Sequence, residues 1–198
     1  MKSIKKLLKF IRNLFSSKGK FDFNIGEAVV LEKSIIINSY PFESSSIFPA
    51  KEIPASEIKE IHLDKYPPSI KLNDELIFIS REHLELLKNF AMSNNIPTPQ
   101  RQSNWDFITE SFLDMEFEEE SKKRTIEYLL SNGFTKVEIS NIRNEVRKQM
   151  MKYNFNTMLW EWRNLGLCDV LIAMKPSLSK EDFKDFYFRA MEIEMRTK

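Results

Sequence analysis

The spacing of apolar residues changes once along this chain, and the change falls at Ile96-Pro97-Thr98-Pro99. Before it, short β-branched runs alternate with turn residues, the pattern of strands. After it, apolar residues recur every three to four positions, the pattern of helices that bury one face. Two prolines in a polar stretch neither continue a helix nor sit in a central strand, so residues 96–102 read as a Pro-containing linker. The expected protein is therefore α+β. A small antiparallel β-sheet module closed by a helix spans 21–95, and an all-α bundle of five or six helices spans 103–198.

Within the first half, residues 27–31 and 34–39 read as strands joined at Glu32-Lys33. Ile58, Ile61 and Leu63 mark a further short strand. Residues 70–72 and 76–79 flank Asn73-Asp74, a tight-turn pair. Ser80 is expected to cap a helix that runs to about residue 92, with Leu84, Leu87, Phe90 and Ala91 inward. In the second half, Ser103 with Asp106 opens one helix, and another runs from about 118 to 131 and stops at Asn132-Gly133. Thr135 with Glu138 forms a capping box, and the helix it opens carries Ile139, Ile142, Val146, Met150 and Tyr153 on one stripe. Asn154 or Asn156 is expected to break that helix. Residues 167–174 form a short helix that is apolar on nearly every side, and Ser179 with Asp182 opens the last one.

Charge is distributed unevenly. The formal net charge is +1, yet residues 1–21 hold seven basic and no acidic side chains, leaving 23 basic against 29 acidic in the remainder. Wound as a helix, residues 1–20 place Ile4, Leu7, Leu8, Ile11, Leu14 and Phe15 on one stripe. Lys2, Lys5, Lys6, Lys9 and Arg12 lie opposite. Such a basic amphipathic helix fits an anionic membrane surface, a partner or its own body. Residues 16–20 make a hydrophilic joint after it. Lys9 and Arg12 interrupt any continuous apolar run, so the segment reads neither as a secretory signal nor as a membrane span, and a cytoplasmic location is expected. The acidic remainder disfavours nucleic acid, whose affinity comes mostly from phosphate neutralisation.

No catalytic motif stands out. Cys168, the only cysteine, lies in an apolar run and reads as a buried thiol. His62 and His83 have no serine or cysteine partner at motif spacing, and four unclustered glycines do not make a phosphate cradle. No cofactor or metal is expected. Two carboxylate features remain. Asp114, Glu116, Glu118, Glu119 and Glu120 form an acidic patch that also reads as a solvated helix start. Asp169 sits among Leu167, Cys168, Val170 and Leu171, where it either caps its own helix after Gly166, pairs with an arginine such as Arg163 or Arg143, or acts as an acid with a raised pKa. Gly133-Phe134-Thr135-Lys136 between two helices reads as a plain hairpin rather than a DNA-binding turn, because Glu138 and Glu145 dilute the face carrying Arg143, Arg147, Lys148 and Lys152. Trp160, alongside Arg163, projects away from the apolar face of its helix and is a candidate anchor for a protein partner.

The order of short strands followed by one amphipathic helix resembles the bacterial pleckstrin-homology-like modules. The segment Ile53-Pro54-Ala55-Ser56-Glu57-Ile58, the 70–79 hairpin and the closing helix carry the likeness, over roughly residues 22–95. It implies a curved sheet plugged by a C-terminal helix, in modules that often bind lipids or peptides. Small proteins of this build without active-site motifs are similar to toxin-neutralising immunity inhibitors. That likeness implies a non-catalytic protein whose acidic body and Trp160 hold a basic partner surface. Two rival expectations are a peripheral-membrane adaptor held by residues 1–20, and an enzyme using Asp169 or the 114–120 patch.

Overall fold

The computed structural model describes residue 25 and residues 27–112, 119–157 and 165–198. Segment 1–20 with its membrane candidates from Lys2 to Phe15, the partner candidates Trp160 and Arg163, and Asp114, Glu116 and Glu118 all lie outside the described residues.

The fold is α+β. Its strands are divided between two three-stranded antiparallel sheets, a division that the apolar pattern does not announce. The first sheet contains β1 (Glu27–Val30), β2 (Ser34–Ser39) and β3 (Lys51–Pro54) in that order. The second contains β4 (Glu60–His62), β5 (Ser69–Lys71) and β6 (Leu76–Phe78). A single 3-10 turn at Ala55–Glu57 separates them. Its first residue still belongs to the first sheet, through Ala55 N–H donating to Lys33 O at 2.8 Å. Two residues after it, Lys59 N–H already donates to Lys71 O at 2.8 Å in the second.

The second sheet is short but has two distinct faces, because side chains alternate along each strand. Ile61, Ile70 and Ile77 are register partners across the three strands, and each is fully buried. The opposite face pairs His62 with Ser69 and Phe78, and Glu60 with Lys71 and Leu76. A row of isoleucines thus backs a face that is largely polar.

Helix α1 (Leu84–Ser93) follows β6 and buries Leu87, Phe90 and Ala91. It is preceded by a 3-10 turn at Arg81–His83, and Ser80 makes no side-chain capping bond, so the expected cap is replaced by this tighter first turn. Helices α2 (Asn104–Thr109), α3 (Glu119–Ser131), α4 (Lys136–Thr157), α5 (Leu167–Met174) and α6 (Lys180–Met195) complete the fold. The Ser103 and Ser179 hydroxyls accept from the backbone N–H of Asp106 and Asp182, each at 3.1 Å, as the spacing predicts. Gly133 ends α3 with a φ of 89°. Helix α4 does not break at Asn154. The Asn154 side chain is buried and donates to Phe112 O at 3.2 Å, so it finds a partner outside its own backbone and leaves the helix intact.

One hydrophobic cluster runs through both halves of the chain. Phe42, on the segment between β2 and β3, stacks on Phe183 with ring centroids 6.2 Å apart and tilts against Tyr187 at 5.7 Å, both on α6. Glu75 accepts from Tyr187 Oη at 2.6 Å and from Ser46 Oγ at 2.6 Å, which satisfies a carboxylate that is only 4% exposed. The 96–102 segment is tied to the second sheet, with Ile61 N–H donating to Pro97 O at 2.9 Å.

Candidate functional site

The polar face of the second sheet forms one wall of an open cleft of about 550 Å³. His62 and Ser69 stand on that wall, and the loop after β4 brings in Asp64 and Lys65. The opposite side is built from Arg101 and Ser103 before α2, from Asp106 and Glu110 on and just after α2, from the start of α5 at Gly166, and from Glu194 near the end of α6. A second hollow of about 270 Å³ adjoins it and shares His62, Lys65, Leu76, Arg101, Gln102 and Glu194. The site therefore depends on segments up to 132 residues apart in sequence.

On the sheet wall, Glu60 is the hub. Its carboxylate faces His62 Nε2 at 3.0 Å, Arg101 Nη2 at 3.3 Å and Lys71 Nζ at 3.5 Å. Burial pushes this carboxyl up, but the His62 hydrogen bond and the two cations outweigh it and hold it below the usual range. His62 is buried, and burial lowers its pKa. The Glu60 contact pulls the other way, while the charges of Lys65 and Arg101 lower it further. At neutral pH the imidazole is therefore uncharged, with Ser69 Oγ 3.5 Å from Nδ1. Lys65 Nζ donates to Arg101 O, which pins the loop after β4 to the 96–102 segment.

Across the cleft, Glu194 ties α6 to α2. Its Oε2 accepts from Ser103 Oγ at 2.9 Å and from Trp105 N–H at 3.1 Å. The residue as a whole is half-buried, but its carboxyl is enclosed, and burial pushes its pKa up to about 7. The Trp105 N–H and Lys65 lower it and Asp106 raises it. Asp106 is itself raised by burial, offset in part by Lys65 and by the Ser103 hydrogen bond. Asp106 Oδ1 also fills the space where a Gly166 side chain would begin, since a Cβ there would lie 3.2 Å from it. The α2–α6 junction is bonded further by Asn104, whose amide donates to Ile193 O at 2.8 Å and Arg196 O at 2.9 Å. The Trp105 indole donates to Ala190 O at 2.9 Å.

The residues singled out from sequence are placed differently. Asp169 caps its own helix: Oδ2 accepts from Gly166 N–H at 3.0 Å and Oδ1 from Tyr153 Oη at 2.8 Å. The arginine alternative finds no support at Arg143, which donates instead to Ile108 O at 3.0 Å and Phe107 O at 3.1 Å. That guanidinium is therefore turned into the protein and away from any outer face. Cys168 is buried with its thiol pushed up by burial, and it lines the cleft together with Gly166 and Leu167. Glu120 is exposed. His83 lies outside the cleft, with Nε2 3.6 Å from Glu82. Among the described residues no group of three or more His, Cys, Asp and Glu side chains is placed to hold a metal ion, and no helix is long and apolar enough to cross a membrane.

Sequence reasoning does not single out Glu60, Lys65, Ser69, Lys71, Arg101 or Glu194. One local signal points to the sheet wall: polar residues two apart, Glu60 with His62 and Ser69 with Lys71, each flank a single isoleucine. A scan against protein-family models finds no match to this chain, and a search of curated proteins finds none.

Proposed function

We propose that the protein is a non-catalytic binding protein, acting in the cytoplasm, and that it holds an exposed segment of a protein partner in the cleft between the second sheet and helices α2, α5 and α6. One observation carries this reading. The cleft is open and rich in charge, yet Glu194 on its lining and Glu60 on the sheet beside it are held by their own chain rather than aimed at a common point. Glu60 is engaged by His62, Lys71 and Arg101, and Glu194 by Ser103 and Trp105. Such fixed, partly exposed charges suit electrostatic complementarity with a partner. Asp169, the carboxylate that favoured an enzyme, is occupied as a helix cap.

The test is site-specific photo-cross-linking in cells that make the protein. A photoreactive residue at Gln102, on the cleft lip, is expected to capture one defined protein. The same residue at exposed Lys88 on α1 is expected to capture none, and Arg101→Glu is expected to abolish capture at position 102. Equal products from both positions, or none from 102, would reject the reading.

A second reading rests on the basic amphipathic segment. Five cations on one side of an apolar stripe support attachment to an anionic membrane surface, each cation contributing about 1 kcal/mol near such a surface. The two readings are compatible, since one places the protein and the other gives it a partner.

A further inference from the structure

The cleft is polarised along its length. Its larger lobe holds Asp64, Asp106 and Glu110, which the smaller one does not touch. The smaller lobe holds Lys71 and Arg196, which the larger does not touch. Lys65 and Arg101 stand where the lobes meet. The basic end keeps an excess of cations: the Glu60 carboxylate serves both Lys71 and Arg101 while His62 is uncharged, and Lys65 donates to a backbone carbonyl with Glu194 and Asp106 as its charged neighbours. Arg196 adds less, because Glu138 at 2.6 Å and Glu192 at 2.9 Å already hold it. At the acidic end, Asp64 is exposed, and Glu110 accepts from the Thr125 hydroxyl and lies within the field of the Arg143 guanidinium.

We propose that the partner segment this cleft takes is a stretch of peptide carrying both signs of charge, a basic side chain seated by Asp64 and an acidic one seated between Lys65, Lys71 and Arg101. This deepens the binding reading above and rests on it. A ligand of one sign meets repulsion in one lobe, which is how a polarised site rejects as well as selects. A nucleic-acid backbone is excluded on the same ground by the acidic lobe. The larger lobe lies within the size range that encloses a drug-sized ligand, which suits a few residues of extended chain. Phe78 and Phe107 line it and offer apolar contact beside the acidic groups, and Leu76 is shared by both lobes.

The experiment is fluorescence anisotropy on the full-length protein at low salt. The probes are eight-residue Gly/Ala peptides, blocked at both ends and carrying a neutral dye. One pair holds Arg and Glu four positions apart in either order, and the controls hold Arg/Arg, Glu/Glu or Gln/Gln. One of the two mixed peptides is expected to bind about tenfold tighter than every control, and added salt is expected to weaken it. Asp64 is exposed, so Asp64→Lys leaves the fold intact and is expected to reverse the order, with Glu/Glu now tightest. Equal affinity across the set, a preference for a single sign, absence of binding, or an unchanged order in Asp64→Lys would overturn the inference. Cross-linking at Gln102 separates the two claims: capture there with no charge preference removes this inference alone, and loss of capture removes the binding reading itself.

Discussion

Glu194 is the side chain whose protonation most directly couples the cleft to stability. Its carboxyl holds a proton to about pH 7 in the folded protein, against an ordinary value of 4.5. The folded state therefore binds that proton more tightly than the unfolded state. The resulting stabilisation is complete below pH 4.5 and is lost as pH rises through about 7. Its size is roughly 2–4 kcal/mol, since each pKa unit corresponds to about 1.4 kcal/mol. Asp106 shifts in the same direction. His62 opposes them, because its lowered pKa makes acidification below its ordinary 6.5 unfavourable to folding. A comparison of two proteins removes that opposition. Glu194→Gln keeps an oxygen acceptor for Ser103 and Trp105 and has nothing to titrate, so its urea midpoint relative to that of the natural chain is expected to rise between about pH 5 and pH 8. Parallel curves would mean that the Glu194 carboxyl titrates normally.

At the level of elements, α2 and α6 are joined by side-chain-to-backbone bonds that substitute for capping. The last carbonyls of a helix have no partner within it, and the Asn104 amide supplies donors to Ile193 O and Arg196 O while its oxygen accepts from Asn132 Nδ2 at 2.8 Å. Asn104→Ala is expected to lower unfolding free energy by roughly 2–3 kcal/mol, because buried polar groups on three segments lose partners at once. Urea denaturation checks this, with exposed Lys88→Ala as a reference within about 0.5 kcal/mol of the natural chain. Elements with strong local signals are legible in the amino-acid sequence itself. Residues 167–174 are apolar apart from Asp169 and form α5, and Thr135 with Glu138 forms the capping box at 3.1 and 3.4 Å. Elements that depend on distant partners are not. Strand β3 is four residues with two charges and a terminal proline, and it exists because Ile53 pairs with Ile35 and Glu52 with Ile36 on β2. Helix α4 passes Asn154 because Phe112, 42 residues away, accepts its amide.

At the level of the whole molecule, the cleft is illegible for a related reason. Its walls come from stretches around residues 62–69, 101–110, 166–168 and 194, and nothing local marks them as neighbours. The amphipathic character of residues 1–20 is legible from sequence alone and makes its own prediction. Full-length protein is expected to float with vesicles containing phosphatidylserine and to stay behind with purely zwitterionic ones, and a chain lacking residues 1–20 is expected to float with neither. Identical behaviour of the two chains on anionic vesicles would discard membrane attachment. A last consequence concerns synthesis. Glu75, Leu76 and Phe42 all emerge early, yet they meet Tyr187 Oη, Met191 Sδ and the Phe183 ring, more than a hundred residues later. As the ribosome extends this chain, the strand-forming half must stay incomplete, its aromatic and acidic groups awaiting α6. Nascent-chain protease protection should therefore arise abruptly and late, once that helix has cleared the exit tunnel, rather than in two instalments.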